Sequence, residues 1–413
     1  MKILNKFIAL FFGFAFVSEF LFVYSHYNNF FLQNGIDVVK LSQLFIVIQI
    51  AKIIFDIPIG IAADLYNRRI ILIIGVVAKA LFCLICVISK SYSMFVFAAV
   101  LWGVGMSAIY YHVEVYIYDS LRHIRKEDKF ASVISKYYAI QNISIALSSF
   151  VSIWVIRHFN FEGIFTFSAM FCVLALIVVL FMPHYQVEKN MRRGEIAQRI
   201  GRIASNIFNM TSRPMALRLI TTSVLLDTLF IIGLDINTTL MSIAKTNAEK
   251  IAMMVGVVGF VRIFTNYLSG YTVKYFTFIR AHLFIFVTGF VLAFFSFRHS
   301  ENTYLVISLY LCLYPFFDTS IKTRVQNKIQ EESRATMMSV ASIMVSLNVV
   351  VFNLIIGGVA TEYDYYLGLF VVCMTSIMIS ELIRNTPKAY KTYRFMKNVL
   401  YFFYSRLNFK SKS

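Results

Sequence analysis

Charge is scarce in this sequence. Only 15% of its residues are Asp, Glu, Lys or Arg, where a soluble globular domain carries roughly 25%. That shortage, with 59% apolar residues and a mean hydropathy of +0.71, excludes an ordinary soluble domain. Cysteine is also sparse. All five (Cys83, Cys86, Cys172, Cys312 and Cys373) lie within apolar blocks, which argues against a disulfide scaffold. Cys83 and Cys86 form a C-x-x-C inside a helical run, where small packing residues are a better reading than a metal or redox pair. There is no G-x-x-x-x-G-K-[ST] loop to hold nucleotide phosphates, so drive by ATP within this chain is not expected. Neither a metal cluster nor a nucleophile motif appears between the apolar blocks, and no enzyme activity or cofactor is expected.

Acidic residues are few beside basic ones, 21 against 39, and the net charge is +18. Nucleic acid is not the expected partner, because the basic residues sit in short links between apolar blocks rather than in a basic domain. The blocks approach the ~20 residues that cross a ~30 Å hydrocarbon core as helix. Lipid leaves each backbone N–H to find its acceptor inside its own segment, which selects helices. A β-barrel would instead alternate over ~10 residues. The reading is an all-α membrane protein of about twelve spans, near 7–27, 38–61, 70–89, 94–119, 132–156, 162–182, 214–238, 248–273, 281–298, 302–321, 336–358 and 364–384. The first block runs on too long for a signal peptide, contains Glu19 and lacks a small-x-small cleavage site, so it is read as a permanent span.

Proline, with five residues, marks edges. Pro183 and Pro387 follow spans 6 and 12, Pro214 opens span 7, and only Pro58 and Pro315 fall inside spans. Thr246-Asn-Ala-Glu249 has the form of a capping box at the start of span 8. The Lys/Arg bias orients the chain with both termini cytoplasmic. The outer links then receive only Lys40, Lys90, Arg157, Lys245, Lys250 and Arg298, and the inner links receive the dense clusters. Two non-spanning segments read as amphipathic helices on an anionic leaflet. One carries Ile196, Ile200, Ile203 and Ile207 beside Arg192, Arg193, Arg199 and Arg202. The other, in the tail, carries Phe395, Val399, Phe402 and Phe403 beside Lys391, Arg394 and Lys397. The expected organisation is a six-helix bundle over 1–183, a cytoplasmic link over 184–213, a second bundle over 214–385 and a basic tail over 386–413.

After span 2 the chain reads Asp56-Ile-Pro58-Ile-Gly60-Ile-Ala-Ala63-Asp64-Leu-Tyr-Asn-Arg68-Arg69. This resembles the G-x-x-x-D-x-x-x-R-[RK] signature between helices 2 and 3 of the major facilitator superfamily, preceded by an acid-x-P-x-G variant of that family. Tyr118-Asp119-Ser120-Leu121 is similar to a Y-D-S-L element of some members, and Glu332-Ser-Arg334-Ala-Thr336 resembles the family's entry into helix 11. The resemblance covers the whole chain through its six-plus-six plan. A faint repeat accompanies it: Tyr118-Asp119 with Arg125 matches Phe317-Asp318 with Arg324 at the same offset, at the inner ends of spans 4 and 10. Where the first half has Gly60 and Asp64, the second has Gly270 and Lys274. The resemblance implies a monomeric secondary transporter in the bacterial inner membrane that moves a small solute by alternating access. Gly60, Asp64, Arg68, Arg69, Asp119 and Asp318 inherit a gating role from it. In physical terms Gly60 would let helix ends approach, and Asp64 would face Arg68 and Arg69.

Ionisable residues at bilayer depth mark a pathway or a pair. Lys52 and Asp56 lie one turn apart and suggest a local ion pair, and Arg262 is expected to pair with Asp227. Helices 1, 4, 7 and 10 line the cavity in the family, which places Glu19 and Glu114 on it. A carboxyl in a half-dry cavity can titrate near neutral pH, as proton coupling requires. Glu19, Glu114, Asp56 and Asp227 are therefore the proton-coupling candidates. Tyr111, His112, Tyr116, Asp235, Arg262 and Asn266 are the candidates for the substrate cavity. Export of an organic solute in exchange for protons is the first expectation, uptake by proton symport the second, and a non-transporting sensor or scaffold the third.

Overall fold

The computed structural model describes residues 2–65, 68–89, 91–126, 129–182, 214–300, 302–328, 331–362 and 364–384. The link over 184–213 and the tail over 386–413, with their two amphipathic segments, lie outside these residues. Among the described residues every regular element is a helix: α1 Lys2–Glu19, α2 Val23–Gln33, α3 Val38–Leu65, α4 Arg68–Ile88, α5 Tyr92–His123 and α6 Phe130–Phe181. After the link come α7 Pro214–Ile243, α8 Ala248–Thr272, α9 Phe278–Phe297, α10 Thr303–Lys328, α11 Glu331–Glu362 and α12 Tyr365–Arg384. Eleven of the segments are long and apolar enough to cross a membrane. One of these, Lys136–Phe181, has 46 residues, about twice what a bilayer needs. It is interrupted at Asn160, where φ is 52°, a region in which Asn is among the better tolerated side chains. The rings of Phe159 and Phe167 lie 5.3 Å apart, whereas eight residues of straight helix rise about 12 Å. The chain therefore folds back on itself at Asn160.

The first span departs from the continuous helix expected over 7–27. It is two helices, broken at Phe20–Phe22. Such a break frees backbone groups that lipid cannot satisfy, and serines of α6 satisfy them here. Ser144 Oγ donates to the Phe16 carbonyl at 2.5 Å and Ser148 Oγ to that of Leu21 at 3.4 Å, while the Val23 amide donates to Ser168 Oγ at 3.3 Å. At α8 the start falls where the capping box places it. The capping side chain is Asn247 rather than Thr246, and its Oδ1 accepts from the Glu249 amide at 3.0 Å.

Each half buries its own apolar cluster, one drawn from residues between Phe11 and Met182 and the other between Leu219 and Cys373. Outward faces carry apolar stripes, such as Ile70, Ile74, Val77, Leu81 and Leu84 on α4, the pattern a lipid surround permits. The halves meet along α2–α7, α3–α11 and α6–α8. Close helix approach depends on glycine, though not where the sequence suggested it. A Cβ at Gly60 would meet nothing within 4 Å, while one at Gly103 would lie 2.5 Å from the Ile48 carbonyl oxygen and 2.7 Å from Ala51 Cβ. Gly103→Val must therefore push α5 off α3, with an expected loss of about 1–3 kcal/mol. Thermal unfolding in detergent checks this, with Gly270→Ala, whose Cβ meets nothing within 4 Å, as the neutral control.

Candidate functional site

The densest group of charges lies between α7 and α10. Tyr314, Asp318 and Lys322 follow one another at four-residue spacing and so share a face of α10. Lys322 Nζ stands 2.8 Å from Asp318 Oδ1 and 3.2 Å from Asp227 Oδ1 on α7, bridging the two carboxylates. Tyr314 donates its hydroxyl to the same Asp227 oxygen. The Lys322, Asp227 and Asp318 side chains are 33%, 23% and 16% exposed, so the cluster is reachable rather than sealed. With both of its donors in place, Asp227 is not the partner expected for Arg262. The Arg262 guanidinium instead covers the Phe230 ring at 4.6 Å, and Phe230 stacks on Tyr314 at 4.3 Å. Asn266 turns back on its own helix and donates to the Arg262 carbonyl at 2.7 Å.

A second group spans the break in the first span. Glu19 ends α1 and Tyr24 lies in the first turn of α2. Lys79 Nζ of α4 is 3.1 Å from Glu19 Oε1, and the Tyr24 hydroxyl donates to Glu19 Oε2 at 2.5 Å. The ammonium also lies 5.3 Å from the Trp102 ring centroid and 5.5 Å from that of Tyr110. Glu19 and Lys79 are 2% and 1% exposed. This is a closed ion pair, whereas the sequence showed no cation near Glu19.

Elsewhere the candidates are dispersed. Glu114 on α5 accepts from the Tyr138 hydroxyl of α6 and lies within electrostatic reach of Lys322 in the other half. Tyr116 is 1% exposed and packs edge-on against Phe11, in the N-terminal core rather than on a cavity wall. His112 is half-buried on α5, and Asp56 is half-buried on α3. One turn before Asp56, Lys52 reaches across to α11, donating to Ser346 at 3.2 Å and Ser342 at 3.4 Å. Asp235 accepts from the Tyr27 hydroxyl. Asn28 donates to the Asp235 carbonyl at 2.8 Å, to Thr238 at 2.6 Å and to Thr239 at 2.9 Å, tying α2 to α7. Arg69 donates to the carbonyls of Leu180 and Met182, a cation on the last carbonyls of α6. Arg68 is half-buried at the start of α4. Asp64, Tyr111 and Asp119 are placed on α3 and α5 by their backbones alone.

Sequence reasoning missed Lys322, Tyr314 and Tyr138 as site residues, and Tyr27 and Asn28 as the tie between the halves. The signal for Lys322 was present: Asp318 and Lys322 have the four-residue spacing noticed for Lys52 and Asp56. Lys322 also reads as part of the basic run at the inner end of span 10, which masks that spacing.

The described residues form a polytopic helical protein with two separate cores and a charged cluster within its second half. Residues 6–353 match the Major Facilitator Superfamily family profile, and the chain belongs to that family. Its many long apolar helices suit a multi-pass member of that family. An uncharacterized transporter of Buchnera aphidicola subsp. Schizaphis graminum (strain Sg) is 29% identical over 164 residues, 38% of this chain. The chain spans only 39% of the length of that relative. Among solved structures, the nucleoside transporter NupG superposes with a TM-score of 0.69 at 15% identity, covering 94% of this chain and 100% of that one. A D-xylose-proton symporter gives 0.66 at 12% identity over 92% and 96%. A POT family transporter in complex with 5-aminolevulinic acid gives 0.69 at 11% identity over 91% and 95%. At these identities the likeness is one of fold.

Proposed function

We propose that this protein is a proton-coupled secondary transporter of a small organic solute in the bacterial inner membrane, working as a monomer by alternating access. Its two bundles, 1–183 and 214–385, supply twelve spans once the fold-back at Asn160 is counted, with both termini cytoplasmic. The Gly60–Arg69 segment, with Asp119 and Asp318, serves the inner gate. The Asp227–Lys322–Asp318 cluster carries this reading: two carboxylates sharing one ammonium, partly exposed at the inner side of a helical bundle. Protonating either carboxyl loosens the hold on Lys322, and that is a differential contact of the kind a population shift requires. Among the described residues, inter-half contacts include Lys52–Ser346 and Ala146–Gly259 at mid-depth, and Asn28–Thr238 and Arg157–Glu249 at the end that the Lys/Arg bias puts outside.

The two directions, export by antiport and uptake by symport, differ in whether proton and solute share the site. With its acids ionised, the set Asp227, Asp318, Lys322 and Arg262 is neutral, and one added proton leaves it positive. A positive site in a low dielectric repels a cationic solute and accepts a proton together with an acidic one. For an acidic solute this balance favours symport, the second of the two expectations, over antiport. Cells with the gene should accumulate a labelled transported solute above the level of cells without it, and a protonophore should abolish the difference. A lower internal level in cells with the gene overturns the uptake direction. Accumulation indifferent to the protonophore overturns the proton coupling.

A further inference from the structure

Arg262 stands apart from the other charges of the interior. Lys79 has Glu19, Lys322 has two aspartates, and Lys52 reaches two serines. The Arg262 guanidinium makes no ion pair and no side-chain hydrogen bond among the described residues, and its buried Nε has no partner. It sits in the middle of α8, beside Phe230 near the middle of α7 and Tyr314 near the middle of α10. A guanidinium is always charged, and at such depth its isolation is expensive unless an anion meets it. Phe230 covers one face of the group, which leaves the N–H donors pointing outward in its plane. That fork is the geometry that grips a carboxylate or a phosphate with two parallel hydrogen bonds. The aspartate expected as its partner is held by Tyr314 and Lys322. Asp318 lies within electrostatic reach of Arg262 but makes no ion pair with it, so the fork is left for a group from outside the described protein.

We propose that Arg262 is the anchor for an anionic group, a carboxylate or a phosphate, on the transported solute. The inference rests on the transporter reading above and adds the substrate class to it. Lys322, one turn beyond Asp318, lies on the adjoining helix. Once a proton has neutralised one of its aspartates, it adds a second positive charge to the neighbourhood of the anion. Solute and proton then reinforce one another, and neither residue needs to change partners across the membrane.

Four probes of similar size and different charge test this on the purified full-length protein in detergent: benzoate, phenyl phosphate, benzyl alcohol and benzylamine. Benzoate or phenyl phosphate should raise the thermal unfolding midpoint in a saturable way, while the neutral and cationic probes leave it unchanged at the same ionic strength. Which anion acts distinguishes a carboxylate substrate from a phosphate one. Arg262→Gln should require at least about tenfold more of the active anion, and Arg262→Lys should fall between, since it keeps the charge and loses the fork. Stabilisation by benzylamine or benzyl alcohol equal to that by the anions overturns the proposal, as does silence from both anions at millimolar concentration. An unchanged anion response in Arg262→Gln also overturns it. Solute transport by vesicles containing Arg262→Gln, equal to wild type, would remove the anchor and leave the transporter reading standing.

Discussion

Lys322→Ala should lower proton-driven accumulation of solute on the order of 100-fold. Removing one member of a buried, hydrogen-bonded charge pair typically costs about 2–5 kcal/mol, much of it from the charge left behind, and this partly exposed cluster belongs at the lower end. Here two carboxylates are left behind, within reach of one ammonium in the native protein. Both lose the ammonium whose release a proton would trigger, and a site without that contact cannot couple. Lys322→Arg should retain part of the activity. Asp318→Asn should separate coupling from passage: exchange of labelled for unlabelled solute continues, while accumulation against a gradient is lost. Asp227 also accepts from Tyr314, a bond that the amide oxygen of Asp227→Asn can keep, so that substitution removes the charge alone and should act like Asp318→Asn. Proteoliposomes with an imposed pH gradient measure all four variants. Undiminished gradient-driven uptake by Lys322→Ala would remove the cluster from the mechanism.

Lys79→Met should destabilise the protein by about 3–5 kcal/mol, because it leaves the Glu19 carboxylate buried without its cation. Combining it with Glu19→Gln should recover most of the loss, since replacing both members of a buried pair is often close to neutral. Thermal unfolding of the two singles and the double forms a cycle that isolates the coupling. The double variant also settles which carboxyl works for transport. If Glu19 is a structural acid, the double variant accumulates solute at a rate close to wild type. If it carries the proton, accumulation against a gradient disappears although the fold is restored.

The apolar blocks announced the helices because lipid imposes a length and forbids unpaired backbone, two constraints that a single sequence displays. They also announced the fold-back near Asn160, where Arg157 and Glu162 interrupt an apolar run. The break at Phe20–Phe22 was hidden. That stretch contains neither glycine nor proline, and its freed groups are satisfied by Ser144, Ser148 and Ser168, more than a hundred residues away. Sequence reading found most of the buried charges but paired them poorly. Spacing reveals partners on one helix, as for Asp318 and Lys322, and is blind to partners on another, as for Glu19 and Lys79. Facing was the remaining gap: Tyr116, expected on the substrate cavity, lies in a core instead.

The seam between the halves is made of slight groups: Ser42 against Gly357, Ala146 against Gly259, the flat ring of Phe150 against Gly256, and serine hydroxyls about Lys52. Bulky side chains that interlock would have to be unpacked before two bodies could shear past one another. At these positions there are few such teeth to disengage, and an ammonium that loses one serine acceptor keeps another a turn away. The joint is low in friction by composition, which lets a proton and one small solute move two bundles that each keep their own core intact.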